Sequence, residues 1–277
     1  MEILNLEHKG VLKSFVYEWQ SLRSTRCRNL LKILTVCSSS DPQGNDFKCI
    51  IYEFMSNGSL DEWLHPRNDN NKSLNIIQKL NLAIDIALAM DYLHNQCEIP
   101  VVHCVLKPSN ILLDEDMTAY VGDFGLARFL FEAASIDPHK NTIATGLKGS
   151  IGYIPPECSL GGQVSKAGDV YGYGILLLEL FMSKRPTNDI FGDGIYLREY
   201  VEMAMKNGYV MKILDRILLQ EEGNDHEGEF GEVEERAIIR HQKSFGENSS
   251  RIERLFGFLF WVLDSLVPSH YQGIACQ

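Results

Sequence analysis

Four side chains with chemical capacity fall inside twenty-one residues of one another. The stretch HCVLKPSN, residues 103–110, carries His103, Lys107 and Asn110, and Asp123-Phe124-Gly125 begins 13 residues after Asn110. Asn110 and Asp123 offer side-chain oxygens that accept hydrogen bonds. Lys107 brings a compact cation on a flexible stem. Between them stands Val105, whose side chain accepts neither a proton nor a hydrogen bond. Further on come Pro155-Pro156-Glu157 and then GDVYGYG, which holds Asp169.

Periodicity supplies the elements that must position these groups. Met1–Leu6 alternates like a strand, and Leu12, Phe15, Val16, Trp19 and Leu22 recur at helical spacing over 11–24. Leu30–Cys37 and Phe47–Phe54 read as strands separated by the turn signal DPQGND. Asn57–Gly58 makes a turn, Ser59–Leu64 begins a short helix, and HPRNDNNKS is a polar loop. A long helix follows, with Ile76, Leu80, Ala83, Ile84, Ala87, Met90 and Leu93 assigned to one face. Ile111–Asp114 and Thr118–Val121 predict a hairpin, and 129–150 a long loop. Asp169–Met182 is apolar nearly all round and predicts a buried helix. Tyr196–Met205 and Met211–Leu219 read as helical. Strands and one helix first, then mostly helices, predict an α+β fold with a small lobe on a larger helical one.

Bulk properties narrow the function. The chain has 277 residues and a net charge of −11, which argues against a nucleic-acid partner. Glu221–Glu235 holds eight acids and no Lys or Arg, the pattern of a solvated loop. Seven cysteines without CxxC spacing point to a reducing compartment rather than a disulfide framework or zinc site. The start lacks a signal-peptide core, and the longest apolar run, Leu255–Leu263, is nine residues against the ~20 of a membrane span. The chain as given is therefore expected to be soluble and cytoplasmic, without a membrane span.

The ordered ladder resembles that of protein kinases. HCVLKPSN is close to the catalytic-loop pattern H-R-D-L-x-x-x-N, and DFG and the PPE that stands for A-P-E follow in order. LRSTRCRNLLKILTVCSS, YEFMSNGSLDEWL, HCVLKPSNILLD, VGDFGLAR and GSIGYIPPE resemble the serine/threonine kinase domain of plant leucine-rich-repeat receptor kinases. The similar subgroup lacks the Arg before the catalytic Asp. The resemblance covers roughly residues 3–219. It implies a two-lobed kinase-like fold: a partial small lobe over 1–55, a helical large lobe over 56–219, and a divergent acidic loop and tail over 220–277.

The resemblance also implies roles. Asp123 and Asn110 would hold Mg²⁺ on the phosphates of ATP. Lys107 would neutralise the transferring phosphoryl group, and its presence favours serine/threonine over tyrosine substrates. Tyr52 would stand at the back of the adenine pocket, with the backbones of Glu53 and Met55 hydrogen-bonding the base. His103, Phe124 and Asp169 would be packed scaffolding. Thr142, Thr145 and Ser150 would lie in the activation segment, weakly coupled to the site because Cys104 replaces the usual Arg. Partners would be another receptor kinase or a protein substrate, and family members are plasma-membrane receptors with a cytoplasmic kinase domain.

Departures from the pattern matter as much. Val105 occupies the position of the catalytic Asp. The chain begins at what resembles the third strand of the small lobe, so a Gly-rich loop and two strands are expected to be missing. Glu2 then falls where the strand-3 Lys would pair with the helix glutamate, Glu18, giving a like-charge pair. The pattern fades after Leu219, and FGFLFWVLDSLVPSHYQGIACQ reads as a docking helix, a replacement packing element or the product of an altered reading frame. Three readings stay open: a noncatalytic kinase-fold protein, an active or weakly active serine/threonine kinase, and an unstable fragment.

Overall fold

The computed structural model describes residues 2–4, 26–40, 46–66, 72–130, 152–155, 164–191, 197–207, 209 and 212–215. The helix expected over 11–24 with Glu18, the turn at 41–45, the activation-segment hydroxyls, Glu157 and everything from 216 onward lie outside the described residues.

The N-terminal part is a three-stranded antiparallel sheet of β1 (Glu2–Leu4), β2 (Ile33–Ser40) and β3 (Asp46–Tyr52), in the order β1-β3-β2. The β-branched and apolar residues of FKCIIY suit the central strand, where Cys49 and Ile50 are buried. Glu2 pairs in register with Ile50. Strand β2 starts later than its apolar run suggests. Leu30 is instead drawn to an isolated parallel bridge with Val121, and Leu31 donates its N–H to the Val121 carbonyl at 2.9 Å. Strand β3 stops at Tyr52, and Phe54 stands 86% exposed beyond it.

The larger part is helical. It comprises α1 (Leu60–Leu64), α2 (Ile76–Asp91), α3 (Lys166–Met182) and α4 (Leu197–Lys206). Two short antiparallel strand pairs stand beside them: β4 (Val101–Val102) with β7 (Arg128–Phe129), and β5 (Ile111–Leu113) with β6 (Ala119–Val121). Local chemistry starts the two long helices, α2 and α3. Asn75 accepts the Gln78 N–H at 2.8 Å while Gln78 accepts the Asn75 N–H at 3.0 Å, a reciprocal cap for α2. The Ser165 hydroxyl accepts the Gly168 N–H at 3.1 Å to open α3. As its composition predicts, α3 is buried from Gly174 to Met182 and forms the axis of the core with Leu82, Ile86 and Leu93 of the preceding helical stretch.

The buried face of α2 differs from the expected one. Lys79, Leu82, Ala83, Ile86, Ala89 and Met90 are buried, with Leu93 just beyond, whereas Ile84 is 44% exposed. Apolar residues circle this helix, so periodicity alone leaves its rotation open, and neighbours choose it. Tyr173 of α3 donates its hydroxyl to the Ala83 carbonyl at 2.9 Å, and Lys79 meets Asp215 at 2.7 Å. Of the helix expected over Met211–Leu219 only 212–215 is described, one 3-10 residue followed by a turn, and the remainder lies outside the described residues. Among the described residues, no helix is long and apolar enough to cross a membrane.

Candidate functional site

The site grows from Asp169, near the start of α3 and only 2% exposed. A buried carboxylate must be satisfied by donors. Its oxygens accept the His103 N–H at 2.7 Å, the Cys104 N–H at 2.7 Å and a contact from His94 Nε2 at 2.9 Å. These bonds hold Cys104 at φ +73°, a left-handed conformation that a non-glycine residue rarely takes unaided. The chain bends there, and Val105 follows with its side chain buried.

The rest of the loop is stitched from within. Asn110 Nδ2 donates to the Val105 carbonyl at 3.0 Å, and its amide oxygen, the candidate metal ligand, accepts from the Ser109 hydroxyl at 3.5 Å. The Gly122 N–H donates to the Asn110 carbonyl at 2.9 Å, bringing the residue before Asp123 against Asn110. His103 Nε2–H donates to the Gly122 carbonyl at 2.9 Å, so Nδ1 is left to face the Val105 N–H at 3.4 Å. The His103 and Phe124 rings meet edge to face at 4.9 Å, and Phe124 is fully buried. Asp123, at φ +59°, is exposed, and its carboxylate has no hydrogen-bond partner among the described residues. Lys107 is half-buried at the start of the 3-10 turn Pro108–Asn110.

The strand-β3 exit is joined to this loop. The Glu53 N–H donates to the Lys32 carbonyl at 3.1 Å, and the Met55 carbonyl accepts from Gly58 at 3.2 Å. The Glu53 carbonyl and the Met55 N–H make no hydrogen bond among the described residues. Asn57 then donates to the Leu113 carbonyl at 3.0 Å, and Leu113 donates to Gly58 at 2.9 Å. Strand β5, which begins one residue after Asn110, therefore ties the Tyr52–Met55 segment to the candidate metal ligands. Tyr52 is half-buried at the end of β3. Of the residues expected around nucleotide and metal, Glu18 lies outside the described residues, as do Thr142, Thr145 and Ser150 of the activation segment.

Sequence reasoning missed a second polar cluster. Glu179 of α3, fully buried, accepts from the Tyr153 hydroxyl and meets His65 Nε2 at 2.7 Å. Burial, and then the Glu179 charge, push the Tyr153 phenol far above its ordinary range. Beside them Arg185 pairs with Asp61 at 2.8 Å. Gly152, at φ +94°, positions Tyr153, and a Cβ there would lie 2.5 Å from the Pro186 ring. These partners come from three stretches, 61–65, 152–153 and 179–186, and no sequence spacing links one stretch to another. Asp61, His65 and Glu179 bring candidate ligand atoms within 4.8 Å of one another, but Arg185 already neutralises Asp61.

A catalytic-loop turn anchored by a buried helix carboxylate, a packed DFG phenylalanine and a strand exit tied to both define a protein kinase domain. Residues 3–217 match the family model of protein tyrosine and serine/threonine kinases, and the chain belongs to that family. It is 48% identical over 224 residues to a probable LRR receptor-like serine/threonine-protein kinase of Arabidopsis thaliana, covering 79% of this chain and 22% of that protein. It is 45% identical to the receptor kinase-like protein Xa21 of Oryza sativa subsp. japonica, covering 81% of this chain and 22% of that one. With the LRR receptor-like serine/threonine-protein kinase EFR of Arabidopsis thaliana, identity is 48% over 74% of this chain and 20% of the relative. The chain thus spans about a fifth of the length of these curated relatives.

Proposed function

We propose that this chain is a receptor-like serine/threonine kinase domain impaired in phosphoryl transfer. The observation that carries the reading is Val105, buried at the position where the family places its catalytic Asp. A positioned general base is worth ~10²–10⁴ in rate. Kinases turn over at roughly 1–100 s⁻¹, so its loss alone takes the rate to about 1 s⁻¹ or below. Cys104 in place of Arg also weakens coupling to any phosphorylated activation segment.

The donor set still suits Mg²⁺ and a nucleotide. The Asn110 amide oxygen and the Asp123 carboxylate are hard donors on two segments joined by the Gly122–Asn110 bond, and the Glu53 carbonyl and Met55 N–H are unclaimed among the described residues. Bound Mg²⁺ would supply charge neutralisation at the phosphates. This chain's own part would be to orient the nucleotide and, through Lys107, to offset negative charge beside it. The retained Asp123, Asn110 and Lys107 favour a second reading, weak residual kinase activity. Under either reading the partner is another receptor kinase or a protein substrate, met at the cytoplasmic side of a membrane.

Phosphate transfer by the purified 277-residue chain to a generic basic protein substrate tests the reading. The wild type and Asp123→Asn should be equally inactive. Transfer that Asp123→Asn abolishes would establish the active reading instead.

A further inference from the structure

We propose that Cys37 and Cys49 form a cross-strand thiol pair that a low-molecular-weight disulfide closes into an intramolecular disulfide. The two are direct partners in the antiparallel register of β2 and β3. Opposed residues in such a ladder have Cα atoms about 4.5 or 5.5 Å apart, depending on the hydrogen-bonding of the pair. Both spacings lie in the ~4.4–6.8 Å range usual for the Cα atoms of disulfide-bonded residues. The side chains of directly opposed residues project to the same face. Both thiols are free here.

The two thiols are unequal, which sets the order of events. Cys37 is half-buried and reachable, whereas Cys49 is 4% exposed. Burial, and then the neighbouring Cys37, push the Cys49 thiol up, so it does not lead the attack. With glutathione disulfide as oxidant, the Cys37 thiolate attacks one glutathione sulfur and releases one glutathione thiolate. The Cys49 thiolate then attacks the Cys37 sulfur of the mixed disulfide and releases the second. Two protein thiols are oxidised and one glutathione disulfide is reduced to two glutathiones, so atoms and electrons balance. The link would pin the β2 edge to the strand that ends at Tyr52, the candidate adenine-pocket residue.

The full chain is incubated with a graded series of reduced and oxidised glutathione, and then alkylated, digested and analysed by mass spectrometry. The expected product is a peptide pair joined through Cys37 and Cys49, lighter by two hydrogens than the reduced pair. It should form in the native chain before any other cysteine pair, and Cys37→Ser should leave Cys49 as an unmodified thiol. Glutathione retained on Cys37 without closure, or preferential pairing of either residue with another cysteine, overturns the proposal. The readout does not depend on kinase activity.

Discussion

At the scale of the residue, a single carboxylate organises the loop on which the family's chemistry rests. Asp169 accepts two consecutive backbone N–H groups, and this forces the left-handed turn at Cys104 that delivers Val105 and Asn110. The same loop that is held for catalysis therefore presents a side chain with no basicity. Restoring it by Val105→Asp is expected to leave transfer far below a kinase rate, because Glu2 stands at the expected strand-3 Lys position. A single-turnover transfer assay checks this, and robust activity in that variant would overturn it. Elsewhere, Lys79 is 1% exposed and owes its burial to Asp215 at 2.7 Å. Lys79→Met should lower unfolding free energy by about 2–3 kcal/mol, below the ~3–5 typical of wholly buried pairs, because Asp215 keeps its Ser183 bond. Urea titration reads the loss, and adding Asp215→Leu should recover part of it.

At the scale of the element, the short helix α1 survives on its cap. The Glu62 carboxylate accepts the Ser59 N–H at 3.2 Å and the Ser59 hydroxyl at 3.0 Å, and these bonds hold its carboxyl below the usual range. Ser59→Ala should cost ~1 kcal/mol at neutral pH in chemical denaturation. A depressed folded carboxyl stabilises above the ordinary glutamate range and loses that contribution as pH falls through its folded value. The gap between wild type and Ser59→Ala should therefore shrink in acid. A gap that is constant with pH would mean the cap does not act through Glu62. Strand β3 is the other decisive element: its register positions both the Tyr52–Met55 segment and the Cys37–Cys49 pair.

At the scale of the whole molecule, the question is whether the joined segments bind a nucleotide as a unit. The hydrogen bonds from Asn57 to Leu113 and from Gly122 to Asn110 make the adenine-side and metal-side groups parts of one framework. A ligand that binds only the folded state raises the melting midpoint by mass action. The chain is expected to melt cooperatively, with a midpoint that rises in Mg²⁺-ATP and returns when Asp123→Asn removes a ligand charge. A cooperative melt with no shift would mean that the framework persists as a scaffold without nucleotide.

The sequence by itself determined the family, the order of elements and the candidate residues. Short ordered motifs constrain chain order and local spacing, and the hairpin of β5 and β6 and the buried α3 follow directly from their patterns. It also set Val105 at the position where the resemblance expects the catalytic Asp, since the identity of residue 105 needs no coordinates. Only the tertiary structure decided which way α2 turns, because apolar residues on every side of that helix leave its rotation to Tyr173 and Asp215. Only it assembled the Glu179 cluster and set Cys37 opposite Cys49. Those contacts join residues far apart in the chain, where no periodicity links one partner to the other.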